Sequence, residues 1–84
     1  MRVTVVLYGG LKARAGVDRL EVEVAEVGCS VGTVVSAVAA SHPALAAALD
    51  RVAYVVGDDV VTSAQPVLAG DTVELLPPVS GGWR

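Results

Sequence analysis

Apolar and polar positions near the start of the chain predict two strands with a short helix between them. Residues 2–8 carry apolar side chains on both faces, a pattern typical of an interior strand. Residues 20–24 alternate strictly between apolar side chains and glutamate, so one face should lie on the core and the other in water. Between these strands, residues 11–15 form a one-turn helical stretch that Gly16 is expected to end.

The middle of the chain has a helical period. Ser30 precedes this stretch and can cap its first free N–H groups. Pro43 should end the helix near residues 41–43 and can begin a second, shorter helix over residues 43–49. The apolar positions of the main helix recur at i, i+3, i+4, i+7 and i+8, and they are Val31, Val34, Val35, Val38 and Ala39.

The last third of the chain returns to strand patterns. Residues 51–56 and 60–62 predict two strands joined by a turn at 57–59. A loop over residues 66–71 precedes a final strand over residues 72–76. The resulting order of strand, strand, helix and three strands predicts an α+β domain, with the helix packed on one face of a sheet.

Composition narrows the class of protein. The chain has 84 residues, of which 54% are hydrophobic, and its formal net charge is −3 with only six basic residues. This length fits a single domain, and the charge gives no basic surface for nucleic acid. Its single cysteine cannot form an internal disulfide, and no apolar run is long enough for a signal peptide or a membrane span. We therefore expect a cytoplasmic protein that binds neither nucleic acid nor membrane.

The sequence offers no catalytic constellation of its own. His42 has no partner that spacing could supply, and the most economical role for Cys29 is a buried or half-buried thiol. No cluster of residues has metal-ligand spacing, and the glycine pair 9–10 lacks the lysine and hydroxyl pattern of a phosphate loop. The expectation is a protein that is not an enzyme, with no catalytic residue and no bound metal.

The C-terminal residues read as a tail that leaves the domain. Pro77 and Pro78 lack an N–H and cannot extend the ladder of a strand that ends at Leu76. We therefore expect a domain over residues 1–78 and a flexible tail over residues 79–84. The tail contains Gly81 and Gly82, which have no Cβ, so it could thread a narrow channel in another protein.

Two stretches, Leu-Ala-Gly-Asp-Thr-Val at 68–73 and Leu-Pro-Pro-Val-Ser-Gly-Gly at 76–82, resemble the sulfur-carrier family. This family contains the molybdopterin synthase small subunit and the thiamin sulfur carrier (MoaD/ThiS-like proteins). The resemblance implies a ubiquitin-like β-grasp fold, with a mixed sheet of about five strands and one main helix on one face. It also implies that the last strand lies beside the first and that the tail projects from the sheet.

The same resemblance implies that Gly82 is the site of sulfur attachment. In the family, an E1-like activating enzyme uses ATP and magnesium to join AMP to the terminal glycine. A persulfide sulfur then displaces AMP and leaves a thiocarboxylate, which donates sulfur to a synthase subunit or another biosynthetic enzyme. The carrier itself holds no permanent cofactor. Gly81 would keep the reacting end slim enough for the partner's channel.

Trp83 and Arg84 follow the double glycine and depart from the family pattern. We expect a peptidase to cleave between Gly82 and Trp83 before activation. The alternative is that the two residues stay and the chain acts only as a binding module.

Partner docking is expected at Tyr8 and Leu76, which match the apolar positions that flank the tail in the family, although ordinary core packing would also suit both residues. The paired prolines favour the molybdopterin synthase small subunit. Carriers for thiamin, cysteine or a sulfur-containing secondary metabolite share the fold and the terminus. A ubiquitin-like modifier or an interaction module is the alternative from another class.

Overall fold

Nine elements build the fold in a computed structural model that describes residues 1–25 and 27–77. The strands are β1 (Arg2–Leu7), β2 (Arg19–Glu23), β3 (Ala53–Val56), β4 (Asp59–Val61) and β5 (Thr72–Leu76). The helices are α1 (Gly10–Ala15), α2 (Val31–Ser41) and α3 (Pro43–Ala46), and a single 3-10 turn spans Ala48–Arg51.

The five strands form one mixed sheet in the order β2-β1-β5-β3-β4. The pair β1–β5 is parallel, and the other three neighbouring pairs are antiparallel. The first strand therefore lies inside the sheet, and the last strand lies beside it, as predicted. This arrangement confirms the β-grasp fold, and it also confirms that the main helix crosses one face of the sheet.

The core lies between the inner face of the sheet and α2. The alternate residues of β1 and β5 that point inward are all but inaccessible to solvent, and so are three valines of α2. Burial of valine and leucine side chains supplies most of the stabilising free energy of such a domain. The residues involved are Val3, Val5 and Leu7 in β1, Val73 and Leu75 in β5, and Val31, Val34 and Val38 in α2.

The start of α2 confirms the predicted cap. The Thr33 N–H donates to Ser30 Oγ at 3.3 Å, and the Ser30 N–H donates to Thr33 Oγ1 at 3.3 Å. Two N–H groups at the helix start are thus satisfied reciprocally. Cys29 precedes this cap and is buried, as expected for a small apolar side chain.

Two predicted elements differ from the structure. The second helix, predicted over residues 43–49, ends at Ala46, and a 3-10 turn follows it. Leu45 and Leu49 are both buried, so the tighter turn is where the chain brings Leu49 into the core. Arg51 belongs to this turn rather than to the next strand, which begins at Ala53.

Candidate functional site

The parallel pair β1–β5 brings the ends of the first and last strands to one edge of the sheet. Leu7 is paired with Leu75, and both strands run in the same direction. Tyr8 follows β1, and Pro77 follows β5, so the chain continues toward its double glycine from this edge. We call Tyr8, Gly9, Leu76 and Pro77 the tail root.

Gly9 makes a close contact within the tail root. Its φ of 57° and ψ of −130° are open to glycine and strained for any other residue. The Leu11 N–H donates to the Tyr8 carbonyl at 3.2 Å, which closes a tight turn over Gly9. A Cβ at Gly9 would lie 3.1 Å from Cγ of Pro77. The missing side chain therefore lets the turn after β1 support the residue at which the chain leaves β5.

Tyr8 lies on the outer face of the sheet, where 41% of the residue is exposed. Its hydroxyl donates to Oε1 of Glu74 in the neighbouring strand at 2.5 Å. This hydrogen bond, followed by partial desolvation and by the negative charge of Glu74, raises the pKa of Tyr8 above 10.0. Tyr8 is thus outside the core, and its docking role stays a prediction.

Leu76 is half-buried on the same outer face, where it is paired with Ala53 of β3. Further along this face, Val55 is paired with Val60 of β4, and Val60 is 77% exposed. Leu76, Ala53, Val55 and Val60 thus give this side of the face a mainly apolar surface, with Glu74 of β5 beside Val55 and hydrogen-bonded to Tyr8. Exposed apolar side chains of this kind are common at docking surfaces, and the docking role of Leu76 stays a prediction.

The opposite side of the outer face is charged. In β1, Arg2 Nε lies 3.1 Å from Oε1 of Glu23, and Arg2 Nη1 lies 3.6 Å from Oε1 of Glu21; both glutamates belong to β2. All three side chains are well exposed, so these ion pairs contribute little to stability. The apolar side chains of the outer face are therefore concentrated on the side of β5, β3 and β4, where Glu74 supplies a carboxylate.

A cleft of about 240 Å³ opens beside the tail root, and its mouth faces solvent. The sequence patterns did not predict it, because its walls come from three distant parts of the chain. Its lining residues are Gly10, Leu11 and Arg14 of α1, Ala48 and Arg51 of the 3-10 turn, and Pro77.

The predicted reactive end lies outside the described residues. The tail over residues 79–84 is outside them, and with it Gly81, Gly82 and the predicted cleavage between Gly82 and Trp83. Sulfur attachment, tail threading and trimming therefore remain predictions.

The remaining candidates are not part of the tail root. His42 follows α2 as its C-terminal cap and precedes Pro43, and its Nδ1 is buried without a hydrogen-bond partner among the described residues. Across residues 1–25 and 27–77, no three His, Cys, Asp or Glu side chains come together as a metal site. Within the same ranges no helix has the length and apolar character needed to cross a membrane.

Together, the mixed five-stranded sheet, the helix on its inner face and the parallel pairing of the first and last strands define a ubiquitin-like β-grasp domain. The chain belongs to the ThiS family, whose model matches residues 5–82. No curated protein matches the chain significantly.

Three solved structures have folds similar to that of this chain. The crystal structure of SAMP1 from Haloferax volcanii is 27% identical with a TM-score of 0.88, and the match covers 98% of this chain and 100% of that one. A putative molybdopterin converting factor subunit 1 from Pyrococcus furiosus is 25% identical with a TM-score of 0.82, covering 94% and 99%. In the complex of subunits 1 and 2 of the molybdopterin-converting factor from Helicobacter pylori, the matching chain is 25% identical with a TM-score of 0.70, covering 98% and 100%. The chain is thus similar to small carrier and modifier proteins.

Proposed function

We propose that the chain is a sulfur carrier and that Gly82 is its working terminus. The observation that carries this proposal is the end of the family match, which stops at residue 82 and leaves Trp83 and Arg84 outside it. The described domain supports it as well, since the chain leaves the sheet at Pro77, five positions before Gly82. Five extended residues span about 17 Å, enough to carry Gly82 into a partner's active site.

The chemistry requires a free carboxylate on Gly82, and a peptide bond to Trp83 blocks it. A peptidase first hydrolyses the bond between Gly82 and Trp83. The released carboxylate then attacks the α-phosphate of ATP in an E1-like activating enzyme, with magnesium on the phosphates, and pyrophosphate leaves. The resulting acyl adenylate has an electrophilic carbonyl carbon and AMP as its leaving group.

Sulfur enters at this carbonyl carbon. The terminal sulfur of a donor persulfide attacks the carbon, the bond to AMP breaks, and an acyl disulfide forms. A second thiol reduces that disulfide and is itself oxidised to a disulfide with the donor sulfur. The carrier is left with a thiocarboxylate on Gly82, which then transfers its sulfur to the acceptor.

The acceptor we propose is the large subunit of a molybdopterin synthase. Two of the similar structures are described as subunit 1 of a molybdopterin-converting factor, and one of these is in complex with subunit 2. The apolar side of the outer face meets the tail root at Leu76 and Tyr8, so a partner bound there would receive the tail directly. We place this reaction in the cytoplasm, where ATP and persulfide donors are available.

A ubiquitin-like modifier is the second candidate, favoured by the similarity to SAMP1, a small archaeal modifier protein. In that case an amine of a lysine side chain attacks the activated Gly82, and an amide replaces the thiocarboxylate. Both functions share the activation step and differ in the nucleophile.

Two versions of the chain test the proposal, one ending at Gly82 and one ending at Arg84. Each is incubated with an E1-like activating enzyme of the family, ATP and magnesium, and pyrophosphate release and intact mass are measured. We expect an AMP adduct only on the version ending at Gly82, and replacement of one oxygen by sulfur after a persulfide donor is added. Failure of that version to form the adduct would contradict the carrier function. Amide-linked adducts on lysines of other proteins, without sulfur incorporation, would identify the modifier.

A further inference from the structure

Glu74 is a carboxylate in apolar surroundings on the outer face of the sheet. It is half-buried in β5, where its neighbours on the adjoining strands are Val6 of β1 and Val55 of β3. Glu21 of β2, by contrast, is more than half exposed and lies 3.6 Å from Arg2. Among the residues that the structure describes, no cationic nitrogen lies within 4.0 Å of the Glu74 carboxylate.

The hydroxyl of Tyr8 binds one oxygen of this carboxylate. It donates to Oε1 of Glu74 at 2.5 Å, and Oε2 accepts no hydrogen bond from the described residues. An ionised carboxylate can accept about four hydrogen bonds, so most of this capacity is available to other donors. A neutral hydroxyl also leaves the negative charge in place. The carboxylate is therefore positioned by Tyr8, while its charge is solvated by water.

Docking of a partner on this face removes that water. The predicted docking residues adjoin Glu74, since Tyr8 is hydrogen-bonded to it and Leu76 is the next residue of β5 on the same face. A partner that covers Tyr8 and Leu76 therefore covers Glu74 as well. A carboxylate that leaves water without a cation beside it is strongly destabilised. A wholly apolar partner surface is thus disfavoured at this position.

The sheet itself has one cation that could approach Glu74. Arg19 of β2 is paired with Val6, which is paired in turn with Glu74, so Arg19 and Glu74 are two strands apart. Neighbouring strands are about 4.8 Å apart, which separates the two backbones by about 10 Å. A side chain of a docked partner reaches Glu74 from above the face without crossing Val6. The partner is therefore the more direct source of the compensating charge.

We propose that the protein docked on the outer face places a cationic side chain, an arginine guanidinium, on the Glu74 carboxylate beside Tyr8. The inference rests on the proposed carrier function, because it concerns the same docking face. A guanidinium suits the site since it donates two parallel hydrogen bonds to a carboxylate and stacks on an aromatic ring. Glu74 then contributes specificity, because apolar partners that lack the cation are rejected.

Calorimetry with the large molybdopterin synthase subunit tests the inference, on the full chain and on the version ending at Gly82. Glu74→Gln removes the charge and keeps an oxygen that accepts from Tyr8. We expect its affinity to fall about tenfold or more, since it leaves the partner's cation buried without a counter-charge. Glu21→Gln is the matched control, with the same change of charge on the same face, and its affinity should stay within about threefold of the native value.

Two further variants identify the group that faces Glu74. Glu74→Leu extends the apolar surface, so it strengthens binding to an apolar partner and weakens binding to a cationic one. We expect it to weaken binding at least as much as Glu74→Gln does, and tighter binding than that of the native chain would overturn the proposal. Arg19→Gln should leave affinity within about threefold. A loss equal to that of Glu74→Gln would also overturn the proposal, because Arg19 would then supply the cation.

The outcomes separate this inference from the proposed function. Folded Glu74→Gln that binds as tightly as the native chain would overturn the inference and leave docking of the large subunit intact. A native chain that does not bind the large subunit in either version would overturn the proposed acceptor and the inference together. Sulfur attachment at Gly82 is measured separately by intact mass and does not depend on any of these results.

Discussion

The pair β1–β5 behaves differently in its middle and at its end. In the middle, Val5 and Val73 are paired and fully buried against α2. At the tail root, a few residues further along the same strands, Tyr8 is exposed and Leu76 only half-buried. The middle is stabilised by burial of side chains, whereas at the end a glycine turn approaches Pro77 so closely that a Cβ at Gly9 would lie 3.1 Å from its ring.

This difference separates stability from function. Substitutions in the buried middle should unfold the domain and affect sulfur transfer only through the loss of folded protein. Substitutions at the tail root should leave most of the stability in place and change how the tail meets its partners. The predictions below test that separation.

Leu75→Ala should have the largest effect on stability. Leu75 is fully buried, and its truncation leaves a cavity in the core, so we expect a loss of about 2–5 kcal/mol in the free energy of unfolding. Urea denaturation measures this loss. Folded Leu75→Ala protein ending at Gly82 should still be adenylated at the normal rate. A much slower rate per folded molecule would show that the buried middle of the strands also affects function.

Gly9→Ala should affect both properties. The positive φ and the contact with Pro77 predict a loss of about 1–3 kcal/mol in the free energy of unfolding. Because Pro77 must shift, the tail should leave at a changed angle, and sulfur transfer per folded molecule should fall.

Ser30→Ala is the matched control for Gly9→Ala. Loss of the cap on α2 should cost about 1 kcal/mol, a similar destabilisation, at a residue that is not part of the tail root. Transfer should be unaffected. Equal transfer rates for the two variants would show that the turn at Gly9 does not position the tail.

Leu76→Ser should weaken partner binding more than it weakens the fold. Half-burial of this leucine predicts a cost of about 1 kcal/mol in stability, while loss of a central apolar contact should lower affinity for the large synthase subunit about tenfold or more. Val60→Ser is the control at the far edge of the same face, where 77% exposure predicts a change in stability within about 0.5 kcal/mol. Equal affinities for the two variants, measured by calorimetry, would argue against docking beside the tail root.

The hydrogen bond from Tyr8 to Glu74 should give the smallest effect, visible only at high pH. Because the folded state raises the pKa of Tyr8 above 10.0, its contribution is present below that pH and is lost as the pH rises through the folded value. Thermal unfolding is measured between pH 8 and pH 11, on either side of the tyrosine pKa of about 10. Stability should fall slightly more steeply with pH in the native chain than in Tyr8→Phe. Parallel pH profiles would mean that the hydrogen bond adds nothing.

Elements governed by local patterns could be predicted from the sequence. The strand Thr72–Leu76 and the Ser30 cap lie where alternation and capping chemistry place them. The division of residues 43–49 could not be predicted, because proline indicates where a helix begins while the later turn depends on packing of Leu49.

The tail root shows the same limit. The close approach of Gly9 to Pro77 could not be predicted, because it joins residues that are distant in sequence. The cleft between Arg14 and Arg51 also depends on tertiary structure alone. By contrast, the double glycine, which carries the functional hypothesis, is recognisable directly from the sequence.

The intact mass of the protein purified from its native cells tests the central claim most directly. A carrier with Gly82 as its working terminus should have lost Trp83 and Arg84, and a fraction should have one terminal oxygen replaced by sulfur. Protein that still contains Trp83 and no added sulfur, recovered while the cells are making sulfur-containing cofactors, would contradict the account.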